Sequence, residues 1–421
     1  MSVELLGSVG RAEDGDVGGR GPDVVGVDDL RPPEQGAPSP SAEEGSVREG
    51  GGRTPQKILH LTSVHTIRDP RIFHKECKSL AALGHDVALI APHDRPEVID
   101  GVRIVPVAKA SGRLQRMVQV GLRVYRAARR ERGDICHFHD PELMWVGLLL
   151  KLGGTTVVYD VHEDVPKQIM GKHWIPRAVR PVISKAVWLV EQVTARIIDG
   201  IVAATPSIAR KFPAAKTAVV QNFPEAAFAR RDGAETPWPE RADAFVYTGG
   251  LMEIQGVREM ARAFERLPEA MTGTVAGTFY PPTLEAEIAA LPGWRRVRYL
   301  GQVPRAEIVQ AMRSARAGVV LNHPTVNYVD AYPTKMFEYM ASGLPVVCSN
   351  FPLWAGIVRD ADCGIAVDPL DPEAIAAALR TLGEDPERAQ RLGENGRRAI
   401  AERYNWEAEL GKLEALYQRV S

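Results

Sequence analysis

From residue 57 onward, short apolar runs alternate with amphipathic stretches. The run KILHLT from Lys57 reads as a buried strand entering a polar turn. Ile72, Cys77, Leu80, Ala81 and Leu83 then follow helical spacing up to Gly84, and DVALIA from Asp86 is a second buried strand. The alternation continues through ICHFH at Ile135, a helix around Leu143 to Leu152, TVVYD at Thr156, a helix around Val179 to Ile197, and GIVAA at Gly200. A turn-rich stretch from Arg230 to Glu240 interrupts it. A second series then runs through AFVYTGG at Ala244, GTVAG at Gly273, VRYLG at Val297, AGVVL at Ala317, PVVC at Pro345 and GIAV at Gly364. Strand and helix in strict alternation predict parallel βαβ units. Two such series predict an α/β protein of two Rossmann-like, doubly wound domains facing across a cleft. Ligands of such sheets lie beyond the carboxyl ends of the strands.

Composition refines this picture at the N-terminus. Residues 1–54 are rich in Gly, Pro, Asp and Glu, lack any aromatic residue and show no sustained apolar period, which predicts a disordered acidic tail. With 421 residues and 45% hydrophobic content, the remainder is large enough for two cores. The formal net charge is −1, of which the tail holds 11 acidic and 5 basic side chains, so the rest carries +5. That modest surplus argues against a dedicated nucleic-acid binder. Cys77, Cys136, Cys348 and Cys363 are scattered, without a zinc-type pair, and a reducing cytoplasm is the expected location. Neither a signal peptide nor an apolar membrane span is indicated.

Candidate chemistry concentrates after the fourth strand of the second series. Thr334 is expected to cap the helix that Lys335 begins, which turns free N–H groups and the positive dipole end toward the cleft, a place for a diphosphate. Lys335 adds a full charge. Asp330 in the loop and Glu338 in the first helical turns supply two carboxylates for the hydroxyls of one ligand.

Several runs together resemble the retaining glycosyltransferases of family 4, which share the GT-B fold. They are HLTSVH at His60, HFHDPEL at His137, YDVHED at Tyr159, the segment from Asp330 to Met340, GLPVV at Gly343 and CGIAVDP at Cys363. The resemblance spans about residues 57–420 and implies a nucleotide-sugar donor, catalysis without a metal or other cofactor, and retention of anomeric configuration. It implies that Asp330 touches the donor sugar and Glu338 the ribose. The family's usual residue at the first position is Glu, so the Asp330 carboxylate sits back by about 1.5 Å. The family's phosphate loop carries two basic residues where this chain, after Gly249, has the neutral Gly250 and Gln255, so Lys335, backbone N–H groups and Gln255 must meet the leaving diphosphate.

On the opposite side, His137 and His139 are expected to point to opposite faces of their strand. The resemblance selects His139 as the one entering the cleft, to act on the donor sugar. Ser63, His65, His162, Glu163 and Asp164 follow neighbouring strands and form the expected acceptor rim. His137, His139, Asp140 and His162 also raise a metal site, but none is expected. The arginines between Arg113 and Arg130 flank an apolar stripe; a solvated surface helix is preferred there to membrane docking. The expected division is a tail at 1–54, an acceptor domain at 55–233, a donor domain at 234–403 and a C-terminal helix at 404–421 packing back on the first domain. Within the family, the chain is similar to enzymes that transfer N-acetylglucosamine from UDP-N-acetylglucosamine to 2-deoxystreptamine in aminoglycoside antibiotic biosynthesis. Members acting on envelope polysaccharides or lipids, and a non-catalytic nucleotide-sugar binder, are the alternatives.

Overall fold

The computed structural model describes residues 54–109, 116–172, 175–229, 236–241, 244–325 and 328–421. The expected tail, apart from Thr54, lies outside these residues, as do Arg113, Leu114 and residues 230–235 of the turn-rich stretch.

The first sheet has eight strands. They are β1 Lys57–Leu61, β2 Asp86–Pro92, β3 Glu97–Ile99, β4 Val102–Val107, β5 Ile135–Phe138, β6 Thr156–Val161, β7 Gly200–Ala203 and β8 Thr217–Val219, in the order β3-β4-β2-β1-β5-β6-β7-β8. Every pairing is parallel except β3 with β4. The second sheet is wholly parallel. Its strands are β9 Ala244–Thr248, β10 Thr272–Ala276, β11 Val297–Gly301, β12 Ala317–Val320, β13 Val346–Ser349 and β14 Gly364–Val367, in the order β11-β10-β9-β12-β13-β14. Strands sandwiched between helix layers are apolar on both faces. That is why Ile58, Leu59 and Leu61 of β1 and Val346, Val347 and Cys348 of β13 are all buried.

Each sheet reverses its strand order once, between β1 and β5 in the first and between β9 and β12 in the second. A crevice opens at such a point, beyond the carboxyl ends of the two strands. The segments that follow β1, β5, β9 and β12 are therefore the ones positioned to hold a ligand.

The chain crosses between the sheets just after β8. Phe223 leaves the first sheet and packs with Phe337, Tyr332 and Tyr404 in the second core, at ring-centroid distances of 4.7, 5.8 and 5.4 Å. Lys75 Nζ donates to the Asn222 and Phe223 carbonyls at 3.1 and 2.6 Å and holds the crossing from the other side. The final helix, Trp406–Val420, returns to cover β7 and β8. Asn405 caps it by accepting from Ala408 N at 2.9 Å. Buried Trp406 donates its indole N–H to Ser79 Oγ at 2.8 Å and its backbone N–H to the Pro224 carbonyl at 2.8 Å.

The arginine-rich stretch forms a wide turn at Arg116–Val120 and a helix at Gly121–Glu131. Val120, Val124 and Ala128 join the first core, while Met117 and Val118 stay exposed. Among the described residues, no helix is long and apolar enough to cross a membrane.

Removing a fully buried aromatic costs both transfer energy and the cavity left behind. Trp406→Ala is expected to lower stability by about 3–5 kcal/mol, read as a reduced urea midpoint with native-like circular dichroism before the transition.

Candidate active site

Beneath the crevice of the first sheet lies a buried polar cluster. The loop after β1 closes into a wide helical turn, Ile72–Cys77, in which His74 and Glu76 donate backbone N–H groups five residues back, to Asp69 and Arg71. This register turns Arg71 and Glu76 inward together. Arg71 grips Asp160 of β6 through Nε and a terminal nitrogen, both at 3.0 Å, and donates its other terminal nitrogen to the Val220 carbonyl at 3.0 Å. Asp160 also meets His139 Nδ1 at 3.1 Å and His162 Nε2 at 2.8 Å. The Arg71 charge holds the Asp160 carboxyl well below the usual carboxylate range despite its burial.

Two sequence expectations are corrected here. Residues two apart on a strand share a face, and accordingly the His137 and His139 rings lie 4.7 Å apart on the same side of β5. His139 does not enter the cleft: its side chain is fully buried, and Nε2 is paired with His60 Nδ1 at 2.9 Å while Nδ1 meets Asp160. The inward-turned Arg71, Glu76 and Asp160 draw the imidazole into their own network. Burial lowers the pKa of His60, His137 and His139, so these rings are neutral.

Glu76 lies 3.7 Å from His60 Nδ1, 3.9 Å from His137 Nδ1 and 3.9 Å from His139 Nε2. The four side chains bring their donor atoms within 4.8 Å of one another, close enough to hold an ion; His139, Asp160 and His162 form a second such group. Within the first group His60 Nδ1 already meets His139 Nε2 and His137 Nδ1 meets Tyr417 OH at 2.7 Å, while His60 Nε2 and His137 Nε2 have no hydrogen-bond partner. Arg71, with Nε 3.0 Å from Glu76 Oε1, already places a positive charge there. Burial, then the neighbouring Asp160, raises the Glu76 pKa well above its ordinary value, so the carboxyl keeps its proton.

The rim residues divide by role. Ser63 is buried; its N–H and hydroxyl both donate to Asp140, at 2.5 and 3.1 Å. His65 bridges Asp69 at 2.9 Å and Asp140 at 3.4 Å. Burial alone would lower its pKa, but the Asp69 hydrogen bond and the two carboxylate charges raise it. Asp164 caps the short helix Val165–Gly171 and accepts from Lys211 Nζ at 2.9 Å, a structural task. Glu163 is exposed and accepts from Gln168. His162 is 20% exposed, with its imidazole oriented by Asp160.

On the second sheet, Lys335 lies across the turn after β9. Its Nζ donates to Tyr247 OH at 2.7 Å, 4.2 Å from that ring's centre. Gly249 has φ +116°, and a Cβ there would stand 2.5 Å from Lys335 Cε, so the turn needs glycine both for its backbone and to admit the lysine. Gly250 is different: a Cβ would meet Gln255 Oε1 at 3.5 Å and Met252 Cε at 4.0 Å, both ordinary contacts. Burial lowers the Lys335 pKa to about 7, with Glu338 acting the other way.

Gln255 is buried, and its carbonyl accepts from Tyr247 OH at 2.9 Å. Thr334 is also corrected: it is the first residue of the Thr334–Ala341 helix, and Pro333 occupies the cap without a side-chain bond. Proline's fixed φ suits a helix start, and the leading N–H groups still lack intrahelical partners. Asp330 is 53% exposed, with Lys167 Nζ 3.9 Å away across the cleft. Glu338 lies 3.5 Å from Arg305. Sequence reasoning missed Tyr247, whose signal was its place one residue before the strand end. It also missed Arg71 and Glu76, which carry no local signal because their partners are distant in the chain.

The family described as Glycosyl transferase 4-like domain matches residues 71–222, and that described as Glycosyl transferases group 1 matches residues 229–399. The chain is 24% identical over 379 residues to glycogen synthase of Mycobacterium tuberculosis, covering 80% of this chain and 87% of the relative. It is 28% identical over 189 residues to D-inositol 3-phosphate glycosyltransferase of Corynebacterium glutamicum, covering 42% and 44%. Among solved structures, sucrose-phosphate synthase of Thermosynechococcus elongatus superposes with TM-score 0.68 at 19% identity, covering 86% of this chain and 98% of that one. Anabaena Alr3699/HepE in complex with UDP-glucose superposes with TM-score 0.65 at 15% identity, covering 86% and 99%. At such identities the superpositions speak to fold alone, and that fold is GT-B.

The buried cluster generates a pair of opposed expectations. Asp160→Asn strands the Arg71 charge and is expected to cost about 3–5 kcal/mol in urea denaturation at about pH 7. Glu76 binds a proton in the folded state that the unfolded chain has released above about pH 4.5, so its contribution declines as pH rises toward its raised folded value. Glu76→Gln is therefore expected to keep or raise stability at neutral pH and to flatten that decline.

Proposed function

We infer that this chain, a glycosyltransferase of the group 1 and 4-like kind with the GT-B fold, moves a sugar from a nucleotide-sugar donor to an acceptor hydroxyl with retention of anomeric configuration. The donor half carries this reading. A helix N-terminus and the Lys335 ammonium converge over Gly249, beyond the switch point of the second sheet.

In this reading the diphosphate lies against the first turn of the Thr334–Ala341 helix, with Lys335 at its charge. The turn at Gly249 and Gly250 passes close beneath it. Glu338 accepts from the ribose hydroxyls and Asp330 from those of the sugar. The bond from the anomeric carbon to the phosphate oxygen breaks as the acceptor oxygen bonds on the same face. The acceptor's proton passes to the departing phosphate oxygen. Stabilising that oxygen supplies much of the rate. His162, oriented by Asp160 and partly exposed, takes the place in the cleft first expected for His139.

The proposed donor is UDP-N-acetylglucosamine and the proposed acceptor 2-deoxystreptamine, as in aminoglycoside antibiotic biosynthesis. The exposed Glu163 carboxylate suits a cationic aminocyclitol. Incubating the full chain with both compounds is expected to give acceptor-dependent UDP release and a product of the summed mass less UDP. No product with this pair would remove the assignment, and none with any nucleotide sugar would remove the enzyme.

Two binding measurements address the donor site. Glu338→Ala is expected to raise the UDP dissociation constant at least about tenfold, or about 1.4 kcal/mol. Because Lys335 titrates at about 7, a bound diphosphate should recharge it, and binding should take up a proton. Calorimetry at about pH 8 in buffers of different ionisation enthalpy should show that uptake, and Lys335→Met should abolish it.

A further inference from the structure

Within the buried cluster of the first sheet, Glu76 is the residue that the protein's own hydrogen bonds leave unexplained. Its side chain is fully buried, and neither oxygen accepts a hydrogen bond. Arg71 Nε stands 3.0 Å from Oε1, but the one hydrogen on that nitrogen is directed at Asp160, also at 3.0 Å. Burying a carboxyl group without acceptor contacts is costly, and native folds keep such a group only where another partner compensates it. The surroundings of the second oxygen, Oε2, indicate what that partner is. Three imidazole nitrogens stand around it: His60 Nδ1 at 3.7 Å, His137 Nδ1 at 3.9 Å and His139 Nε2 at 3.9 Å.

Size, donor type and outer partners agree on a metal ion. A tetrahedral zinc about 2.1 Å from each nitrogen or oxygen ligand sets those ligands about 3.4 Å from one another. The separations here lie on both sides of that value, from 2.9 Å between His60 Nδ1 and His139 Nε2 to the 3.9 Å contacts of Glu76. Three imidazoles with one carboxylate suit a borderline ion such as zinc, whereas calcium and magnesium take oxygen ligands. His139 turns its other nitrogen to Asp160 at 3.1 Å, the carboxylate contact that commonly orients a metal-bound imidazole. Arg71 does not oppose the ion, because both Asp160 oxygens offset its charge. That same grip makes the neighbouring group of His139, Asp160 and His162 a poorer cage. An ion at the first group replaces the proton between His60 Nδ1 and His139 Nε2 and takes His137 Nδ1 from Tyr417 OH. Two hydrogen bonds of modest net worth are thereby exchanged for metal–nitrogen bonds, which are far stronger.

We propose that His60, Glu76, His137 and His139 hold one zinc ion beneath the crevice of the first sheet. Four protein ligands leave no open position for a substrate, so the ion is structural and has no step in sugar transfer. It ties β1, the wide turn Ile72–Cys77 and β5 together at one point. It also fixes the His139 ring, and with it Asp160 and the His162 imidazole at the rim. This goes beyond the glycosyl-transfer reading and does not rest on it.

Because the site is closed, the ion has to enter as the chain folds, and the test begins in the producing cell. The full chain, without a histidine tag, is to be made in zinc-supplemented medium, desalted, and its metal content measured by plasma mass spectrometry. About one zinc per chain is expected. Glu76→Gln, which keeps the side chain's shape, is expected to lower that content at least about tenfold while its circular dichroism matches the parent. His162→Gln, outside the four ligands, is expected to leave it unchanged. The parent made in cobalt-supplemented medium is expected to show the intense visible bands of tetrahedral cobalt, a readout that needs no variant. A parent with less than about a tenth of an equivalent of zinc overturns the proposal. So does a Glu76→Gln chain that keeps the parent's zinc, or a loss produced by His162→Gln and not by Glu76→Gln, which would put the ion at the second group. Metal content is read without catalysis, so failure of the transfer assay does not alter this result.

Discussion

One guanidinium organises the N-terminal half of this protein. Arg71 reaches from the loop after β1 to both oxygens of Asp160 on β6 and to the carbonyl of Val220 just beyond β8. Two charges buried this deeply are costly to desolvate and gain their keep only through good geometry and full hydrogen bonding. Bidentate contact and the extra carbonyl provide both. With Asp160 so held, His139 and His162 acquire fixed orientations, one beneath the cleft floor and the other at its rim.

The two halves handle polar groups differently. The first sheet compensates buried charge with buried charge, through Arg71 and Asp160, while His60 Nε2, His137 Nε2 and both Glu76 oxygens stay without hydrogen-bond partners. The second keeps its cation short of a full partner: Lys335 rests on the Tyr247 hydroxyl and ring, and burial brings its pKa to about 7. An ammonium in that state gains most from an arriving anion. Tyr247 and Tyr339 do the local holding, with Tyr339 OH accepting from Thr248 N at 3.0 Å where β9 ends.

Much of this architecture was legible from periodicity, because buried parallel strands are continuous apolar runs and the helices between them keep their spacing. The strands not singled out were β4, interrupted by Arg103 and Pro106, and β3 and β8, each only three residues long. In the site, Lys335 and Glu338 were visible because a helix start after a strand is a local pattern. Arg71 with Asp160 was not: the partners stand 89 residues apart, and nothing short of the folded sheet brings them together. His139 was misplaced for a simpler reason, since a two-residue spacing keeps side chains on one face, and the neighbouring carboxylates then determine how deep that face lies. Thr334 had the right residue type for a cap, but Pro333 before it took the position.

The return of the last helix to the first sheet has a consequence for how the chain is made. Tyr417 OH meets His137 Nδ1 at 2.7 Å, and Glu409 accepts from Gln221 N at 2.8 Å, so residues of the last helix finish a domain begun at residue 57. Domains usually fold in order as they leave the ribosome. Here the first sheet emerges early with one helix layer incomplete, waits through the synthesis of the entire second sheet, and closes only once the Trp406–Val420 helix has followed.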